Sequence, residues 1–333
     1  MKKVGIKDIA AEAGVSIATV SHAFRNPGRV SDTTRERVLR AADRIGYVPN
    51  KLAASLRTAR SGNIVVIIPD VTDSFNSGII GAIEKVARER GYSVLLGDTQ
   101  GSPRREREFA AMTRSGQADG IILLSNRLPF DLAPGEALPP IVNGCESTGD
   151  PRVPLIAIDD RKAAMDATRH LLDYGHRDIA VMTGDPQSPS TIERLAGFRH
   201  AMRDAGLEPE PWQIIEGAYT LASGERCARR LLEEARRPSA VFCFSDEIAL
   251  GCMFALRRER LGVPADVSVM GFDDIPFARY CAPTLTTVAQ PTGAIGSACA
   301  RVLLDLIDGK APPAARQILP HQLRIRESTR RLA

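Results

Sequence analysis

The sequence predicts an all-α helix-turn-helix head followed by an α/β body of two lobes, each built on a doubly wound parallel sheet. Two short amphipathic helices joined at a glycine open the chain. From Asn63 onwards, apolar runs of strand length alternate with amphipathic helices, and this alternation starts again near Leu155. At 333 residues, the chain is long enough for two or three domains.

The head is predicted from helical spacing and helix-end signals. Gly14 ends the first helix, Ser16 caps a second helix from Ile17 to Phe24, and Ser31-Asp32 begins a third. The residues that share one apolar face are Ile6, Ile9, Ala10 and Ala13 in the first helix, and Val38, Ala41, Ala42 and Ile45 in the third. Three such helices can bury one small core around a helix-turn-helix.

The body is predicted to contain two successive sets of β and α units. The predicted strands are 64–68, 93–96, 120–124, 140–143, 155–158, 179–182, 213–215, 240–244 and 268–271. The predicted helices between them are 78–90, 104–115, 161–174, 193–205, 223–235 and 246–258. Alternation of this kind forms parallel sheets, whose ligands bind beyond the carboxyl ends of the strands.

Charge is unevenly distributed along the chain. The first sixty residues hold 12 Lys and Arg against 5 Asp and Glu, whereas the remainder holds 32 against 35. Clustered cations gain by displacing counterions from phosphates, so a nucleic-acid partner is favoured for the head. A merely solvated basic surface is the alternative.

Other function classes find less support. The sequence has no GxGxxG, P-loop, GxSxG or HExxH motif, and its five histidines lack metal-ligand spacing, so we expect no catalysis, cofactor or metal. No apolar run suits a membrane span or a cleaved signal, and six widely spaced cysteines suggest buried free thiols. A cytoplasmic protein is expected.

The head resembles the LacI/GalR family of bacterial repressors. The resemblance rests on IKDIAAEAGVSIATVSH at 6–22, RVS at 29–31 and GYVPN at 46–50. It implies that the second helix lies in the major groove of operator DNA, with Ile17, Ala18 and His22 facing base edges. It also implies that Thr19, Ser21 and Arg25 lie at or near phosphates. We further expect Arg29 to contact phosphate nonspecifically and Ser16 to lie at the DNA.

His22 departs from this family, which usually has arginine there. Arginine can donate two hydrogen bonds to guanine, whereas imidazole offers one short donor, so we expect a shifted base preference. A contact from His22 to phosphate or solvent alone is the alternative.

Residues 50–60 match the family's hinge helix, which is too short to be stable alone in water. The resemblance implies that Leu56 wedges into the minor groove and that Ala53 allows close approach, with Asn50 and Arg57 also at the DNA. The alternative is a plain linker whose leucines touch the body.

The body resembles the periplasmic sugar-binding fold that this family carries as its effector domain. That pattern implies three crossings between lobes, near 160, 290 and 320. The predicted boundaries are a head at 1–49, a hinge at 50–60, one lobe from 61–160 with 291–320, and another from 161–290 with 321–333.

The cleft between the lobes is the expected ligand site. Arg194 in TIERLAGF and Asp273 in GFDDI match the family's effector-binding pair, which can hold vicinal hydroxyls. The other ligand-binding candidates are Phe75, Asn76, Asn143, Tyr219 and Gln290. An ion pair between lobes is the alternative role for Arg194.

Three stretches resemble the cytidine-repressor branch of the family: LLSNRLPFD at 123–131, VFCFSD at 241–246 and LTTVAQP at 285–291. They suggest a ribonucleoside effector, with its ribose at Arg194 and Asp273 and its base near Tyr219 and Phe75. Ribose or another pentose is the alternative ligand. A transport or other non-regulatory sugar- or nucleoside-binding protein is the alternative class.

A homodimer is expected, because two heads on a near-palindromic operator bury far more DNA surface than one. Effector and operator binding would then be coupled reciprocally, and release of DNA by the effector is the favoured direction.

Overall fold

The structure is a computed structural model that describes residues 5–25, 27–47, 60–132, 136–312 and 314–332. It divides into two compact units, Met1–Arg60 and Ser61–Ala333. We call them the head and the body.

The head contains three α-helices and one turn of 3-10 helix. They are α1 (Ile6–Ala13), α2 (Ile17–Arg25), the 3-10 turn (Pro27–Arg29) and α3 (Asp32–Arg44). Gly14 ends α1 in the left-handed conformation with φ of 61°, which a glycine adopts without strain. The helix-turn-helix prediction is therefore confirmed.

Side-chain oxygens cap two of these helices, as their sequences predict. Ser16 Oγ accepts a hydrogen bond from the Thr19 amide at 3.1 Å, and Ser31 Oγ accepts one from the Thr34 amide at 3.3 Å. Each cap satisfies a backbone donor at a helix start. The core beneath the helices consists of Ile9, Ala10, Ala13, Val20, Ala23, Val38, Ala41 and Ala42.

The body consists of two α/β lobes. The elements of its first half are β1 (Asn63–Ile68), α4 (Ser74–Glu89), β2 (Ser93–Asp98), α5 (Pro103–Arg114), β3 (Ile121–Leu123), β4 (Ile141–Gly144) and β5 (Leu155–Ala157). Next come α6 (Asp160–Asp173), β6 (Ile179–Met182), α7 (Pro189–Asp204), β7 (Ile214–Ile215), α8 (Leu221–Leu232), β8 (Ala240–Cys243) and α9 (Asp246–Arg258). The last are β9 (Ser268–Asp273), β10 (Thr286–Ala289), α10 (Thr292–Ile307), β11 (Arg316–Ile318) and β12 (Gln322–Arg324).

The described strands form two sheets, which define lobe 1 and lobe 2. Lobe 1 has the order β11-β5-β4-β3-β1-β2, and lobe 2 has the order β12-β10-β9-β8-β6-β7. Neighbouring strands are parallel except at one edge of lobe 2, where β12 pairs with β10 in the antiparallel direction. The chain passes between the sheets after β5, after β10 and after β11.

Pairs of helices pack tightly on the sheets through small residues. A Cβ atom at Gly224 of α8 would lie 2.1 Å from the Ile248 carbonyl oxygen of α9, and one at Gly251 of α9 would lie 2.1 Å from the Leu221 carbonyl oxygen. Only glycine permits such a close approach of two backbones.

Two further predictions are tested by the described residues. All six cysteines are free thiols, but only four are buried, because Cys145 and Cys281 are partly exposed. Among the described helices, none is both long and apolar enough to cross a membrane.

Candidate functional site

A cavity of about 860 Å³ lies between the two lobes of the body. Its walls are the segments that follow β1, β2, β3 and β4 in lobe 1, and those around the starts of α6, α7, α8 and α9 in lobe 2. It therefore lies beyond the carboxyl ends of parallel strands, where such sheets bind ligands. We call it the interlobe cavity.

Arg194 lies on α7, is buried, and is held in one orientation. Its Nε donates to Asp160 Oδ1 at 2.8 Å and its Nη1 donates to the Phe244 carbonyl oxygen at 2.5 Å, while its guanidinium carbon lies 3.7 Å from the centre of the Phe272 ring. Burial disfavours the charged guanidinium, but Asp160, Tyr219 and Asp273 together more than offset this effect and raise the pKa of Arg194. Arg194 is therefore a charged hydrogen-bond donor that is already oriented at the cavity wall.

Asp273 ends β9 and lines the same cavity as Arg194. Its Oδ1 accepts a hydrogen bond from Gln290 Nε2 at 2.8 Å, and its backbone has a φ of 119°, in the region that favours glycine. Burial raises the pKa of Asp273 well above its ordinary value, although Arg194 opposes that rise. A backbone held in a costly conformation is a common feature of ligand-binding positions.

Tyr219 precedes α8 and contacts the start of α7. Its Oη lies 2.6 Å from Thr191 Oγ1 and 3.3 Å from Ser190 Oγ, and its ring centre lies 6.0 Å from the Arg194 guanidinium carbon. Burial raises the pKa of Tyr219, so its hydroxyl stays protonated near neutral pH. The ring offers an apolar face and the hydroxyl is already partnered.

Phe75 and Asn76 bring the start of α4 to the cavity. The Phe75 amide donates to Asp73 Oδ1 at 2.9 Å, and Asn76 Nδ2 donates to Asp73 Oδ2 at 3.0 Å. Asp73 thereby caps α4 and fixes both neighbours, and its burial raises the pKa of its carboxyl group.

The lining of the cavity contains many carboxyl groups. Six carboxyl groups line it, from Asp70, Asp73, Glu146, Asp160, Glu247 and Asp273, whereas Arg194 is the one Lys or Arg among its described lining residues. Burial raises the pKa of Asp73, Asp160, Glu247 and Asp273, whereas hydrogen bonds from Thr72 lower the pKa of Asp70. A space in which four carboxyl groups disfavour a further negative charge also disfavours an anionic ligand.

One predicted site residue lies elsewhere. Asn143 is buried inside β4, where its Nδ2 donates to the Ser125 carbonyl oxygen at 3.0 Å, and it does not line the cavity. The predicted strand ends at Asn143, one residue before the observed end of β4 at Gly144. β4 runs on to Gly144, so Cys145 and Glu146 are the residues that reach the cavity, and neither was predicted.

The other predicted cleft residues are brought together. Phe75, Asn76, Arg194, Tyr219, Asp273 and Gln290 all line the one cavity. The acidic lining residues Asp73, Asp160 and Glu247 were not predicted as ligand contacts, although each follows or begins a predicted element at the carboxyl edge of a sheet.

The predicted base-reading side of the head is free for contact. Ser16, which caps α2, is exposed, as are Ile17 at 50% and Ala18 on the helix itself, and Thr19, Ser21 and His22 are partly exposed. Arg29 is also exposed. The side chain of Arg25 and the residues Asn50, Ala53, Leu56 and Arg57 lie outside the described part of the chain.

Comparison with known proteins gives a consistent match over both units. A family model of bacterial regulatory proteins, lacI family, matches residues 5–50, and a periplasmic binding protein-like domain matches residues 168–329. The chain is 39% identical over 329 residues to the HTH-type transcriptional repressor CytR of Escherichia coli (strain K12), covering 98% of this chain and 96% of that protein. The chain belongs to the LacI family.

Solved structures of LacI-family proteins agree with this assignment. A structure of the lac repressor dimer bound to operator and an anti-inducer has a TM-score of 0.83 at 27% identity, covering 99% of this chain and 100% of that one. A LacI-family regulator from Enterococcus faecium with bound ribose has a TM-score of 0.73 at 27% identity, covering 81% of this chain and 100% of that one.

The protein is therefore a DNA-binding transcriptional repressor of the LacI family, with a periplasmic-binding-like effector body. The predicted fold class and family resemblance are confirmed. The expectation that the chain is not an enzyme agrees with these LacI-family relatives, which are named as repressors or regulators.

Proposed function

We propose that this repressor responds to a ribonucleoside bound in the interlobe cavity. The observation that carries the proposal is the convergence of a hydroxyl-binding pair, Arg194 and Asp273, with two aromatic rings, Tyr219 and Phe75, around one space. A guanidinium and a carboxylate together suit the vicinal hydroxyls of a ribose, and aromatic faces suit a base.

The orientation of Arg194 supports this role. Two of its nitrogens are already engaged, and Nη2 makes no hydrogen bond to any residue in the described part of the chain. An oriented donor with one nitrogen free needs little rearrangement when a hydroxyl arrives, which favours binding. Because Asp160 balances its charge, Arg194 does not require an anionic ligand.

The surplus of carboxyl groups distinguishes a nucleoside from a nucleotide. A phosphate monoester would bring between one and two negative charges into a space lined by six carboxyl groups. We therefore expect unphosphorylated ligands to bind and nucleotides to bind far more weakly.

Ribose or another pentose is the second candidate. The hydroxyl-binding pair does not need a base, and the Enterococcus faecium relative was solved with ribose bound. A cavity of about 860 Å³ is far larger than a pentose requires, which favours the larger ligand.

Isothermal titration calorimetry of the full-length protein tests the effector class. The ligands are nucleosides, the matching free bases, ribose and nucleoside 5′-monophosphates. We expect nucleosides to bind more tightly than any other group. Binding of ribose with no gain from an attached base would favour the pentose proposal instead, and silence from every nucleoside would refute ours.

For DNA, we propose that Ile17, Ala18 and His22 read bases, with Ser16, Thr19, Ser21, Arg25 and Arg29 near phosphates. For the hinge, we propose Leu56 as the minor-groove wedge, with Asn50, Ala53 and Arg57 beside it. A plain linker would leave operator affinity unchanged in Leu56→Ala, whereas a wedge predicts a large loss.

We also propose that the domain boundaries fall after residues 49, 60, 160, 290 and 320.

We also propose that the protein acts as a homodimer and that the effector releases operator DNA. An exposed apolar surface on lobe 2 supports the dimer. It consists of Leu221, Phe277 and Tyr280 beside Leu250 and Ile275, around a shallow hollow of about 320 Å³ that is also lined by Ser74 of lobe 1 and by Glu247. Operator binding measured with and without a bound nucleoside tests the direction of control.

A further inference from the structure

Glu146 has one carboxylate oxygen that is fully engaged and one that is not. Oε1 accepts hydrogen bonds from Ser190 Oγ at 2.6 Å and Ser188 Oγ at 3.0 Å. Oε2 is buried, yet it accepts no hydrogen bond from any residue that the structure describes. An acceptor buried without a donor is costly, so a ligand that supplies the donor gains affinity there.

The position of Glu146 connects this oxygen to the aromatic side of the interlobe cavity. Glu146 lines the cavity, and its partner Ser190 also lies 3.3 Å from the Tyr219 hydroxyl. Tyr219 is the ring against which the proposed nucleoside would place its base. Glu146 therefore lies on the Tyr219 side of the cavity, where the proposed base would be placed.

We propose that Glu146 is a specificity-determining residue whose Oε2 accepts a hydrogen bond from an exocyclic amino group of the base. This inference rests on the proposed nucleoside function and narrows it to 4-aminopyrimidine and 6-aminopurine nucleosides. Nothing in the motifs that identified the family drew attention to this residue.

The chemistry separates two kinds of base. An amino group donates hydrogen bonds, which the unpaired Glu146 Oε2 can accept, whereas the oxo group at the same position of uracil or hypoxanthine presents a second acceptor. Two acceptors facing each other in a buried site leave both unpaired. We expect a preference of roughly 10- to 100-fold for the amino base.

The same carboxylate also joins the two lobes. Glu146 follows β4 of lobe 1, and Ser188 and Ser190 stand at the start of α7 in lobe 2. A base bound at Oε2 would therefore be attached to a group that is itself held by lobe 2. This gives the ligand a direct contact with the interlobe connection.

Calorimetry of the full-length protein with cytidine, uridine, adenosine and inosine tests the proposal in the wild type and in Glu146→Gln. With the glutamine oxygen facing the serines, its amide nitrogen faces the cavity and donates to an oxo group. The wild type should prefer cytidine to uridine and adenosine to inosine, and Glu146→Gln should lose or reverse both preferences.

Glu193→Gln is the matched control. It makes the same change at an exposed glutamate that pairs with Arg161 outside the cavity, and it should keep the wild-type preferences. Equal affinity for amino and oxo bases in the wild type would overturn the role of Glu146, as would an unchanged ratio in Glu146→Gln or loss of all nucleoside binding by that folded variant. Failure of every nucleoside to bind the wild type would overturn the effector proposal itself.

Discussion

His22 occupies the side of α2 that its buried neighbours leave free. Val20 and Ala23 face the head core, whereas His22 is partly exposed one helical turn after the exposed Ala18. Its imidazole carries at most one donor per ring nitrogen and cannot form the parallel pair of bonds by which arginine grips guanine. The base preference at this step should therefore depend on this one side chain.

We predict that His22→Arg changes the preferred operator sequence at one step per half-site, in favour of guanine. Selection from a randomised-site library measures this. His200→Arg makes the same substitution on a half-exposed histidine of the body and should leave the selected sequence unchanged. An identical selected sequence for His22→Arg and the wild type would mean that His22 touches only phosphate or solvent.

Asp246 is a second residue whose surroundings set its chemistry. It is buried at the start of α9, where its Oδ1 accepts from Thr287 Oγ1 at 2.6 Å and its Oδ2 accepts from the Ile275 amide at 2.8 Å. Burial raises the pKa of Asp246 to about 7, aided by Asp274 and opposed by both hydrogen bonds and Arg326. The folded state therefore holds a proton that the unfolded chain has lost above pH 4 or so.

Because the folded pKa is raised, Asp246 costs the protein stability as the pH rises between about 4 and 7. We predict that Asp246→Asn, which can still pair with Thr287 and Ile275, has a higher free energy of unfolding than the wild type. This gain should be larger at pH 8 than at pH 5 by a few kcal/mol. Urea unfolding at both pH values measures this difference. The exposed Glu89→Gln should show no such pH dependence, and an equal effect of Asp246→Asn at both pH values would contradict the argument.

At the scale of elements, the contact between α8 and α9 depends on two glycines. We predict that Gly224→Ala destabilises the body by about 1–3 kcal/mol, because its new Cβ would meet the Ile248 backbone oxygen and cannot push it aside cheaply. Gly81 lies on α4 with nothing within 4 Å of an added Cβ, so Gly81→Ala should be neutral or stabilise by up to about 1 kcal/mol. Thermal unfolding of both variants decides between crowding and helix propensity, and similar changes in both would exclude crowding.

The sequence predicted the elements better than their ends. Apolar periodicity located α1 and α3, and the caps Ser16 and Ser31 followed from residue type alone. Strand ends carry no such marker in β4, where one residue separated the predicted end at Asn143 from the observed end at Gly144. The predicted site therefore included Asn143, which is buried within β4, and omitted Cys145 and Glu146, which follow the end of the strand and line the cavity.

Contacts between distant segments could not be predicted from local patterns. The direction of β12 depends on where the chain re-enters lobe 2, and the Arg194 to Asp160 ion pair joins residues 34 positions apart. The family motifs did predict that Arg194 and Asp273 share a site, and the structure places both in one cavity. The acidic character of that cavity could not be predicted from any one segment, because its six carboxyl groups come from five separate segments of the chain.

At the scale of the whole molecule, the apolar surface of lobe 2 determines the expected assembly. Tyr280 is 85% exposed and Phe277 58% exposed, which is unusual for large apolar side chains that adjoin one another. Leu250 and Phe254 lie on the same face of α9 nearby, one turn apart. A symmetric pair of bodies would bury this surface.

We predict that Tyr280→Asp shifts the protein from dimer to monomer and weakens operator binding at least tenfold, because a single head then binds alone. Sedimentation velocity and operator titration measure the two effects. Ile318→Asp places the same charge at another exposed apolar position, on the edge strand β11, and should keep the dimer. A Tyr280→Asp protein that remains dimeric would show that the interface lies elsewhere.

The carboxyl-lined cavity has a consequence for how long a signal lasts. A kinase that adds one phosphoryl group to the 5′-hydroxyl of the proposed effector would convert a ligand into a molecule that the cavity repels, without removing it from the cell. The effector would then stop acting on the repressor without being exported and without breakdown of its base. The repressor would then respond to the balance between supply of the free nucleoside and its phosphorylation. It would bind the operator again once phosphorylation became faster than supply.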